Sequence, residues 1–334
     1  RDNVLYIKIF QALSSHEDII STEDREYLLK YTENVPYERD DYDIIKIIRY
    51  LRDNDISLFK LEPIASGVIS LVFHGWDNTN KKEVAIKVKR KGINNRIDKD
   101  LKDLKNQIDF FQKFTNLNIK DIYEENKEIL MNQVNFAQEV NNIKFYHEIN
   151  KNLNYIKIPK VYEELSNDDI IVMEYIRGKR LNNIINTDDS IAYGNLLSKF
   201  IFKHFLIDRC FHGDMHPGNI LINSKGILVP IDFGIMGRLS NKDRQFLALL
   251  LTYLLNKNYR KVVEIHSEAN MLGKDISHDH LAQAIRAICT PILNKPIGDV
   301  SLAKLLGQIL GLSKEFNIEV QPQFTLLQKT MLMA

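Results

Sequence analysis

Hydrophobic residues follow helical spacing near the start of the chain, then alternate, and then return to helical spacing. In DDYDIIKIIRYLRD, apolar residues recur every three or four positions and predict an amphipathic helix with an acidic first turn. The segments SLVFHGW and EVAIKV alternate and are separated by DNTNKK, which predicts a β-hairpin between residues 58 and 90. Helical spacing returns at Leu101, Leu104, Ile108 and Phe111, and a further helix is predicted from about 128 to 149.

The second half of the chain combines short strands with long helices. DIIVMEYI, residues 169–176, predicts a strand, and residues 188–210 predict a long helix. NILIN and GILVPIDFG predict two strands that residues 224–226 join as a hairpin. The chain is predicted to be nearly all helical from Ser240, which begins an S-x-x-D helix-start pattern.

This order of elements predicts an α+β fold with two lobes. Residues 1–57 are predicted to form an N-terminal helical extension, and residues 58–177 a small sheet-bearing lobe with inserted helices. Residues 178–334 are predicted to form an all-helical C-terminal lobe with catalytic and metal-binding loops. No repeat of roughly 20–50 residues is present, which argues against a solenoid.

Composition limits the function classes without selecting one. The 334 residues contain 45 Lys and Arg against 44 Asp and Glu, so the net charge of +1 gives no footprint for nucleic acid. Cys210 and Cys289 form no disulfide framework and suit a reducing compartment, and Cys210 is predicted to be a small packed residue. No signal peptide is visible, and the longest apolar run, residues 246–255, is shorter than the ~20 residues of a membrane span. The chain is expected to be soluble, with anchors in flanking sequence left open.

Four polar residues in three separate segments fit the chemistry of phosphoryl transfer. In VAIK, strand alternation puts Lys87 opposite the apolar residues, where its ammonium would pair with nucleotide phosphates. In FHGDMHPGNILI, Asp214 would orient an attacking hydroxyl and accept its proton, and Asn219 would hold a metal ion. In IDFG, Asp232 follows a strand and would ligate Mg²⁺.

Each of these segments is a weak signal alone, but their combination in this chain order is specific. The competing interpretation of Asp214 and Asn219 is a turn in which both side chains cap backbone groups. His212 and His216 have the i, i+4 spacing of zinc ligands, but Pro217 disfavours a helix and no third ligand is near. We therefore interpret His212 as structural and His216 as a residue that braces the loop.

A site of this kind also needs a carboxylate to position its lysine. Glu139, on the helix predicted from about 128 to 149, is the candidate for this role. The alternative is that Glu139 is an ordinary solvent-facing helical residue, in which case Glu128 is the substitute.

Motifs along nearly the whole chain resemble successive blocks of the UbiB family of atypical protein-kinase-like proteins, also called aarF-domain-containing kinases. In order these are YIKIFQALSSHEDIIS, PIASGVIS, VAIKVKRKGI, IPKVYEEL, VMEYIRGKRL, HGDMHPGNILI and IDFGIMGRL. The resemblance implies a protein-kinase-like fold, and it implies that Lys8 and Gln11 belong to the family's K-x-G-Q segment. It also implies a nucleotide site formed by Ala65, Ser66, Gly67, Val68, Lys87, Glu139 and Glu174.

Three departures from the family pattern change the expected site. Phe10 replaces the glycine of K-x-G-Q, and the family's acidic E-x-D segment is QVN at residues 133–135, so Lys8 is expected to make a weaker contact there. Ser66 and Gly67 replace alanines of the nucleotide loop. Because glycine permits positive φ and close approach of phosphate, a less restrained nucleotide loop is expected.

The resemblance implies an ATP-dependent kinase or ATPase that binds ATP or ADP with Mg²⁺ between two lobes and supports ubiquinone biosynthesis. Its expected partners are a lipid quinone precursor or ubiquinone-biosynthetic enzymes, with peripheral contact to the bacterial inner membrane or the matrix side of mitochondria. No A-P-E segment follows IDFGIMGRL, which argues against protein substrates. Two alternatives stay open: a small-molecule phosphotransferase similar to aminoglycoside and choline kinases, and a non-catalytic nucleotide-gated scaffold.

Overall fold

The computed structural model describes residues 35–111, 130–184, 189–273, 276–294 and 322–333, with single positions between these ranges. Lys8, Phe10 and Gln11 lie outside the described residues. The chain forms two compact units, which are described separately: the first holds residues 1–186 and 217–235, and the second holds residues 187–216 and 236–334. The division into an extension and two lobes at residues 57 and 177 stays a prediction.

Helices and strands are numbered here in chain order over the described residues. The strands are β1 Ile56–Leu58, β2 Ala65–Ser66, β3 Ser70–Asp77, β4 Lys82–Lys89, β5 Ile170–Glu174, β6 Gly178–Arg180, β7 Cys210–His212, β8 Ile220–Asn223, β9 Leu228–Pro230 and β10 Met236–Arg238. The helices are α1 Ile44–Asp53, α2 Ile93–Phe111, α3 Phe136–Asn150, α4 Ser190–Lys203, α5 Asn241–Leu255, α6 Tyr259–Glu268, α7 His278–Leu293 and α8 Pro322–Met333.

The main sheet of the first unit is antiparallel and runs in the order β1-β3-β4-β5, with β2 also paired to β3. The predicted hairpin is confirmed as β3 and β4, and its turn is held by Asp77, whose Oδ1 accepts a hydrogen bond of 2.9 Å from Asn80 N. The predicted strand at 169–176 is confirmed as β5. Strands β1 and β2 were not predicted, because three and two residues are too short to show an alternating pattern.

Helix α1 covers one face of this sheet, as its amphipathic pattern predicts. Asp43 caps its start by accepting a hydrogen bond of 3.0 Å from Lys46 N. Ile47 and Leu51 are buried in one core with the apolar residues of β3, β4 and β5. The burial of this stripe fixes which face of β4 is left for Lys87.

The prediction of one continuous helix over about 128–149 is wrong, because the helix is interrupted at residues 134 and 135. The side chain of Asn135 accepts a hydrogen bond of 3.0 Å from Gln138 N and so caps the start of α3. An asparagine at this position satisfies a free helix N–H and favours a new helix start over a continuous helix.

A second, three-stranded sheet in the first unit runs in the order β6-β8-β9. Strands β8 and β9 confirm the predicted hairpin at 220–230. Gly226 occupies the turn with a φ of 73°, a conformation that favours glycine. Strand β6 extends this sheet at residues that were predicted to belong to an all-helical region.

The second unit begins with α4, whose predicted extent to residue 210 is wrong. The helix ends at Lys203, a wider turn follows over His204–Asp208, and Arg209 adopts the left-handed conformation with a φ of 57°. Cys210 therefore lies in β7, which pairs with β10, and it is buried as expected. No periodic pattern marks these two strands, since each has only three residues.

After Ser240, the described residues of the second unit are mostly helical, as predicted. Ser240 Oγ accepts a hydrogen bond of 3.1 Å from Asp243 N, and Asp243 Oδ2 accepts one of 2.7 Å from Ser240 N, which confirms the predicted helix start. Helix α6 packs against both α5 and α7. Among the described residues, no helix is long and apolar enough to cross a membrane.

Two glycines of the second unit provide a matched test of packing. A Cβ added at Gly237 would lie 2.1 Å from Phe211 Cζ, whereas one added at Gly194 in α4 would meet nothing within 4 Å. Gly237→Ala is expected to lower the free energy of unfolding by roughly 1–3 kcal/mol through overpacking. Gly194→Ala is expected to raise it by roughly 0.5–1 kcal/mol through helix propensity. Urea unfolding of both variants checks this, and a shift of both in the same direction contradicts it.

The turn after α4 predicts a pH-dependent loss of stability. His204 is buried with Nδ1 2.7 Å from Phe200 O, and burial lowers its pKa to about 4. Because this value lies below the ordinary pKa of about 6.5, the unfolded chain binds the proton first, and stability falls as the pH drops from about 6.5 towards 4. At roughly 1.4 kcal/mol per pKa unit, the contribution is on the order of 3 kcal/mol.

His204→Gln is expected to flatten this part of the pH dependence when unfolding is measured from pH 7.5 to pH 4 in steps of about half a unit. His278→Gln, at an exposed position of α7, is the matched control and should leave the slope as in the wild type. An unchanged slope in a folded His204→Gln protein would refute the assignment.

Candidate functional site

Strand β4 carries Lys87 on the face of the sheet away from α1. Val84 and Ile86 are fully buried in the core beneath α1, and strand alternation therefore directs Lys87 to the opposite face, as predicted. Lys87 is paired in register with Val72 of β3 and Ile171 of β5, so the central position of β4 in the sheet holds its backbone from both sides.

Three of the predicted site residues meet at the Lys87 ammonium. Its Nζ donates a hydrogen bond of 2.6 Å to Glu139 Oε1 and one of 3.3 Å to Asp232 Oδ1. Burial alone would lower the pKa of Lys87, but the carboxylates of Asp232 and Glu139 raise it well above its ordinary value. Lys87 therefore stays protonated and acts as a fixed positive charge, not as a general base.

Glu139 lies in the first turn of α3 and is only 1% exposed. This burial rules out the alternative of a solvent-facing helical glutamate. Burial raises the pKa of Glu139, Lys87 opposes that rise, and the neighbouring Asp232 adds to it. The ion pair with Lys87 is what makes a carboxylate tolerable at this depth.

Side chains of helix α3 also hold the IDFG segment through hydrogen bonds to its backbone. Glu139 Oε1 accepts a hydrogen bond of 3.4 Å from Phe233 N, and Asn142 Nδ2 donates one of 2.9 Å to Phe233 O. Asn142 was not selected from the sequence, although it lies three residues after Glu139 on the same helical face. One face of α3 thus positions Lys87 and Asp232 together.

Asn219 and Asp232 lie at the same end of the β8–β9 hairpin. Asn219 directly precedes β8, Asp232 follows β9 by two residues, and Ile231 N donates a hydrogen bond of 3.0 Å to Asn219 O. Asp232 Oδ1 also accepts a hydrogen bond of 3.1 Å from Gly234 N. An amide oxygen and a carboxylate at one end of a hairpin are the kind of oxygen donors that Mg²⁺ uses.

The predicted nucleotide loop forms a compact turn between β2 and β3. Gly67 N donates a hydrogen bond of 2.8 Å to Ser70 O, and Ser66 Oγ donates one of 2.6 Å to Val35 O. Ala65 is partly exposed, whereas the side chain of Val68 is buried in a second core beside α2, so a nucleotide contact at Val68 would use its backbone.

Gly67 does not adopt a positive φ, and a Cβ added there would make an ordinary contact of 3.5 Å with Ser70 O. The conformation of the loop therefore does not require glycine at this position. Close approach of phosphate to the Gly67 backbone stays a prediction.

Glu174, at the end of β5, has its carboxylate engaged by neighbouring residues. Lys157 Nζ donates a hydrogen bond to Glu174 Oε1, and Lys160 N donates one of 3.3 Å to Glu174 Oε2. These contacts tie β5 to the segment that precedes it. These two hydrogen bonds engage only the carboxylate of Glu174. A nucleotide contact by Glu174 stays a prediction.

Asp214 belongs to the second unit, where it follows β7. Its N–H donates a hydrogen bond of 3.1 Å to His212 Nδ1, and His212 is buried. The carbonyl of His212 accepts a hydrogen bond of 3.1 Å from Thr330 Oγ1 of α8. These contacts agree with the interpretation of His212 as a structural residue that shapes the Asp214 turn.

The QVN segment at residues 133–135 lies beside the IDFG segment. Asn135 uses its side chain as the cap of α3, and a Cβ added at Gly234 would lie 3.4 Å from Gln133 Cγ. The expected weak contact of this segment with Lys8 falls on a residue outside the described ranges.

The structure brings together Lys87, Glu139 and Asp232, and it places Asn219 at the same hairpin end as Asp232. Residues 65–68 form a separate turn on the main sheet, which also carries Lys87. The convergence of Asp214 with these residues stays a prediction.

Comparison with known proteins agrees with the family that the motifs indicate. Residues 53–266 match the ABC1 atypical kinase-like domain, and residues 285–334 match the UbiB helical domain. The chain is 29% identical over 343 residues to a protein of Vibrio atlanticus named "Probable protein kinase UbiB", and 30% identical over 346 residues to a protein of the same name from Histophilus somni. Both matches cover 98% of this chain, which spans 63% and 64% of the lengths of these relatives.

A solved structure shares the fold of the chain. The protein Rv3197 from Mycobacterium tuberculosis, whose structure is a complex with erythromycin, matches with a TM-score of 0.59 at 19% identity over 96% of this chain and 87% of its own. The predicted α+β, kinase-like fold is thereby confirmed. With its domain matched over residues 53–266, the chain belongs to the UbiB family of ABC1 atypical kinase-like proteins.

Proposed function

We propose that this protein binds a Mg²⁺ nucleotide and catalyses ATP-dependent phosphoryl transfer or ATP hydrolysis. The observation that carries the proposal is the buried Lys87–Glu139 ion pair with Asp232 as the second carboxylate on Lys87 Nζ. This arrangement holds an ammonium in place, and phosphoryl transfer depends mainly on positioned charge. The family of the chain and the names of its relatives support the same conclusion.

Each residue has a separate part in the proposed reaction. Lys87 would neutralise the nucleotide phosphates, and Glu139 would keep its ammonium in position. Asp214 would orient the attacking hydroxyl or water and accept its proton. Because the ion pair with Glu139 already fixes the ammonium of Lys87, little reorganisation of this part of the site is needed when nucleotide binds.

The residues present suit a magnesium ion. Asn219 and Asp232 offer an amide and a carboxylate oxygen at one hairpin end, and Mg²⁺ takes one or two protein ligands of this kind with substrate phosphates. When bound, the ion would neutralise charge on the phosphates. Asp232 Oδ1 lies 3.3 Å from Lys87 Nζ, so the carboxylate that would hold the ion also neutralises the lysine.

We further propose that the activity supports ubiquinone biosynthesis, with a lipid quinone precursor or a ubiquinone-biosynthetic enzyme as partner. The UbiB name of the relatives supports this assignment. Under this proposal the protein works as a cytoplasmic protein peripheral to the bacterial inner membrane.

Thermal unfolding with ATP or ADP, each with and without Mg²⁺, tests the nucleotide site. Binding should raise the midpoint temperature by mass action. At a nucleotide concentration of roughly 100 times Kd, the folded state should gain about 2.7 kcal/mol. Asp232→Asn should remove the Mg²⁺-dependent part of the shift, because it removes the carboxylate ligand. Asp53→Asn, at an exposed position of α1, is the matched control. If millimolar nucleotide does not change the midpoint temperature of the wild type, the proposal is refuted.

Turnover by Asp214→Asn separates an enzyme from a nucleotide-gated scaffold. The variant should lose roughly 10²–10⁴-fold in the rate of ATP consumption, which is the usual contribution of a general base. Its nucleotide affinity should stay within about twofold, because the substitution leaves the Lys87 pair intact. Asp279→Asn, at an exposed position of α7, controls for loss of a carboxylate in the same unit. Equal turnover by Asp214→Asn and wild type would remove Asp214 from the mechanism.

A further inference from the structure

Arg90 is a buried arginine directly after β4, three residues beyond Lys87. It is 6% exposed, and its backbone N–H donates a hydrogen bond of 2.9 Å to Ile69 O. A guanidinium cannot lose its proton in a protein, so burial at this depth requires a complete set of acceptors. Those acceptors come from two different segments of the first unit.

One set of acceptors belongs to the nucleotide loop. Arg90 Nε donates a hydrogen bond of 3.0 Å to Gly67 O, and Nη2 donates one of 2.8 Å to Ser66 Oγ. In a trans peptide the carbonyl and the following N–H point in opposite directions. Fixing Gly67 O on Arg90 therefore turns the N–H of Val68 away from Arg90 and sets the orientation of that peptide plane.

The other set belongs to residues 35–41, which we call the strap. Arg90 Nη1 donates a hydrogen bond of 2.6 Å to Asp41 Oδ2, and Nη2 lies 3.4 Å from Val35 O and 3.5 Å from Pro36 O. The only carboxylate within ion-pair distance of Arg90 among the described residues is that of Asp41. The strap therefore supplies the charge that makes the buried guanidinium tolerable.

The strap and the nucleotide loop also contact each other directly. Val35 N donates a hydrogen bond of 3.0 Å to Ser66 O, and Ser66 Oγ donates one of 2.6 Å to Val35 O. Arg90 completes this contact by bonding both Ser66 Oγ and the strap carbonyl. Loop and strap thus share one hydrogen-bonded network, with the fork of the guanidinium at its centre.

We propose that Arg90 is a positioning residue that couples the strap to the nucleotide loop, so that phosphate binding at the loop and ordering of the strap favour each other. This inference rests on the proposed nucleotide-binding function and adds its regulation. Anything that draws the strap away removes the counter-charge of Arg90 and leaves its guanidinium bonded to the loop alone. By linkage, nucleotide bound at the loop holds the strap in place.

The test compares Arg90→Gln with Arg96→Gln in the full chain. Both changes remove one guanidinium that bonds Asp41, but Arg96 is 46% exposed and makes only a 3.3 Å contact there. Calorimetric titration should show that Arg90→Gln weakens ATP and ADP binding by about 5–10-fold, or roughly 1 kcal/mol. Adenosine, which has no phosphate, should bind both variants within about twofold of wild type, because the change acts on the phosphate-facing loop.

Hydrogen exchange of the strap supplies a readout that a purely structural role would not move. ATP should slow amide exchange in residues 35–41 of the wild type and of Arg96→Gln, and this protection should vanish in Arg90→Gln. If the wild type binds ATP but Arg90→Gln keeps both its affinity and the strap protection, the coupling is refuted and the proposed function stands. If the wild type binds no ATP, both are refuted.

Two milder variants keep the proposal falsifiable where Arg90→Gln does not fold. Arg90→Lys keeps the charge but lacks the fork that reaches Gly67 O and Asp41 together, and it should show the same selective loss of phosphate affinity. Asp41→Asn leaves the loop contacts of Arg90 in place and should lose strap protection by ATP. Wild-type behaviour of both variants overturns the inference.

Discussion

The ion pair between Lys87 and Glu139 is the constraint on which the rest of the first unit depends. Both side chains are almost fully removed from solvent, and removing one partner of such a pair costs about 3–5 kcal/mol. Strand β4 and helix α3 must therefore meet at this point. The hydrophobic packing of α1 on the other face of the sheet leaves Lys87 no other direction.

The face of α3 that carries Glu139 also holds the IDFG segment. Glu139 and Asn142 bind both backbone groups of Phe233, so the segment after β9 is held by the helix that holds the lysine. Asp232 is consequently positioned by three elements that are distant in sequence. A displacement of α3 would therefore change the positions of Lys87 and Asp232 together.

Much of the fold could be predicted because its elements have strong patterns. The β3–β4 hairpin, α1 and the capped start of α5 follow from alternation, amphipathic spacing and a reciprocal cap. Strands β6, β7 and β10 were harder, because each has only three residues. The left-handed Arg209 that ends the helical region also has no marked sequence signal. The break before α3 was missed because Asn135 was interpreted through family likeness and not as a helix cap.

Site residues could be predicted from the sequence where their chemical type marks them, but not where only their contacts do. Lys87, Glu139 and Asp232 could be selected because their chemical types and chain order fit one reaction. Arg90 and Asn142 act through backbone carbonyls, and no sequence pattern reports which carbonyl a side chain will reach. The buried side chain of Val68 and the engaged carboxylate of Glu174 were missed for a related reason, since only packing decides which part of a residue faces a ligand.

The β8–β9 hairpin determines which changes in length this chain can accept. Asn219 and Asp232 lie at its open end, while the turn at residues 224–226 forms its closed end. Residues added at the turn would lengthen the tip and leave the two oxygen-bearing side chains where they are. A residue added within either strand would shift one side chain by about 3.4 Å and reverse the face of every residue between the insertion and the open end. Homologous chains should therefore vary in length at the tip and keep the two strands equal.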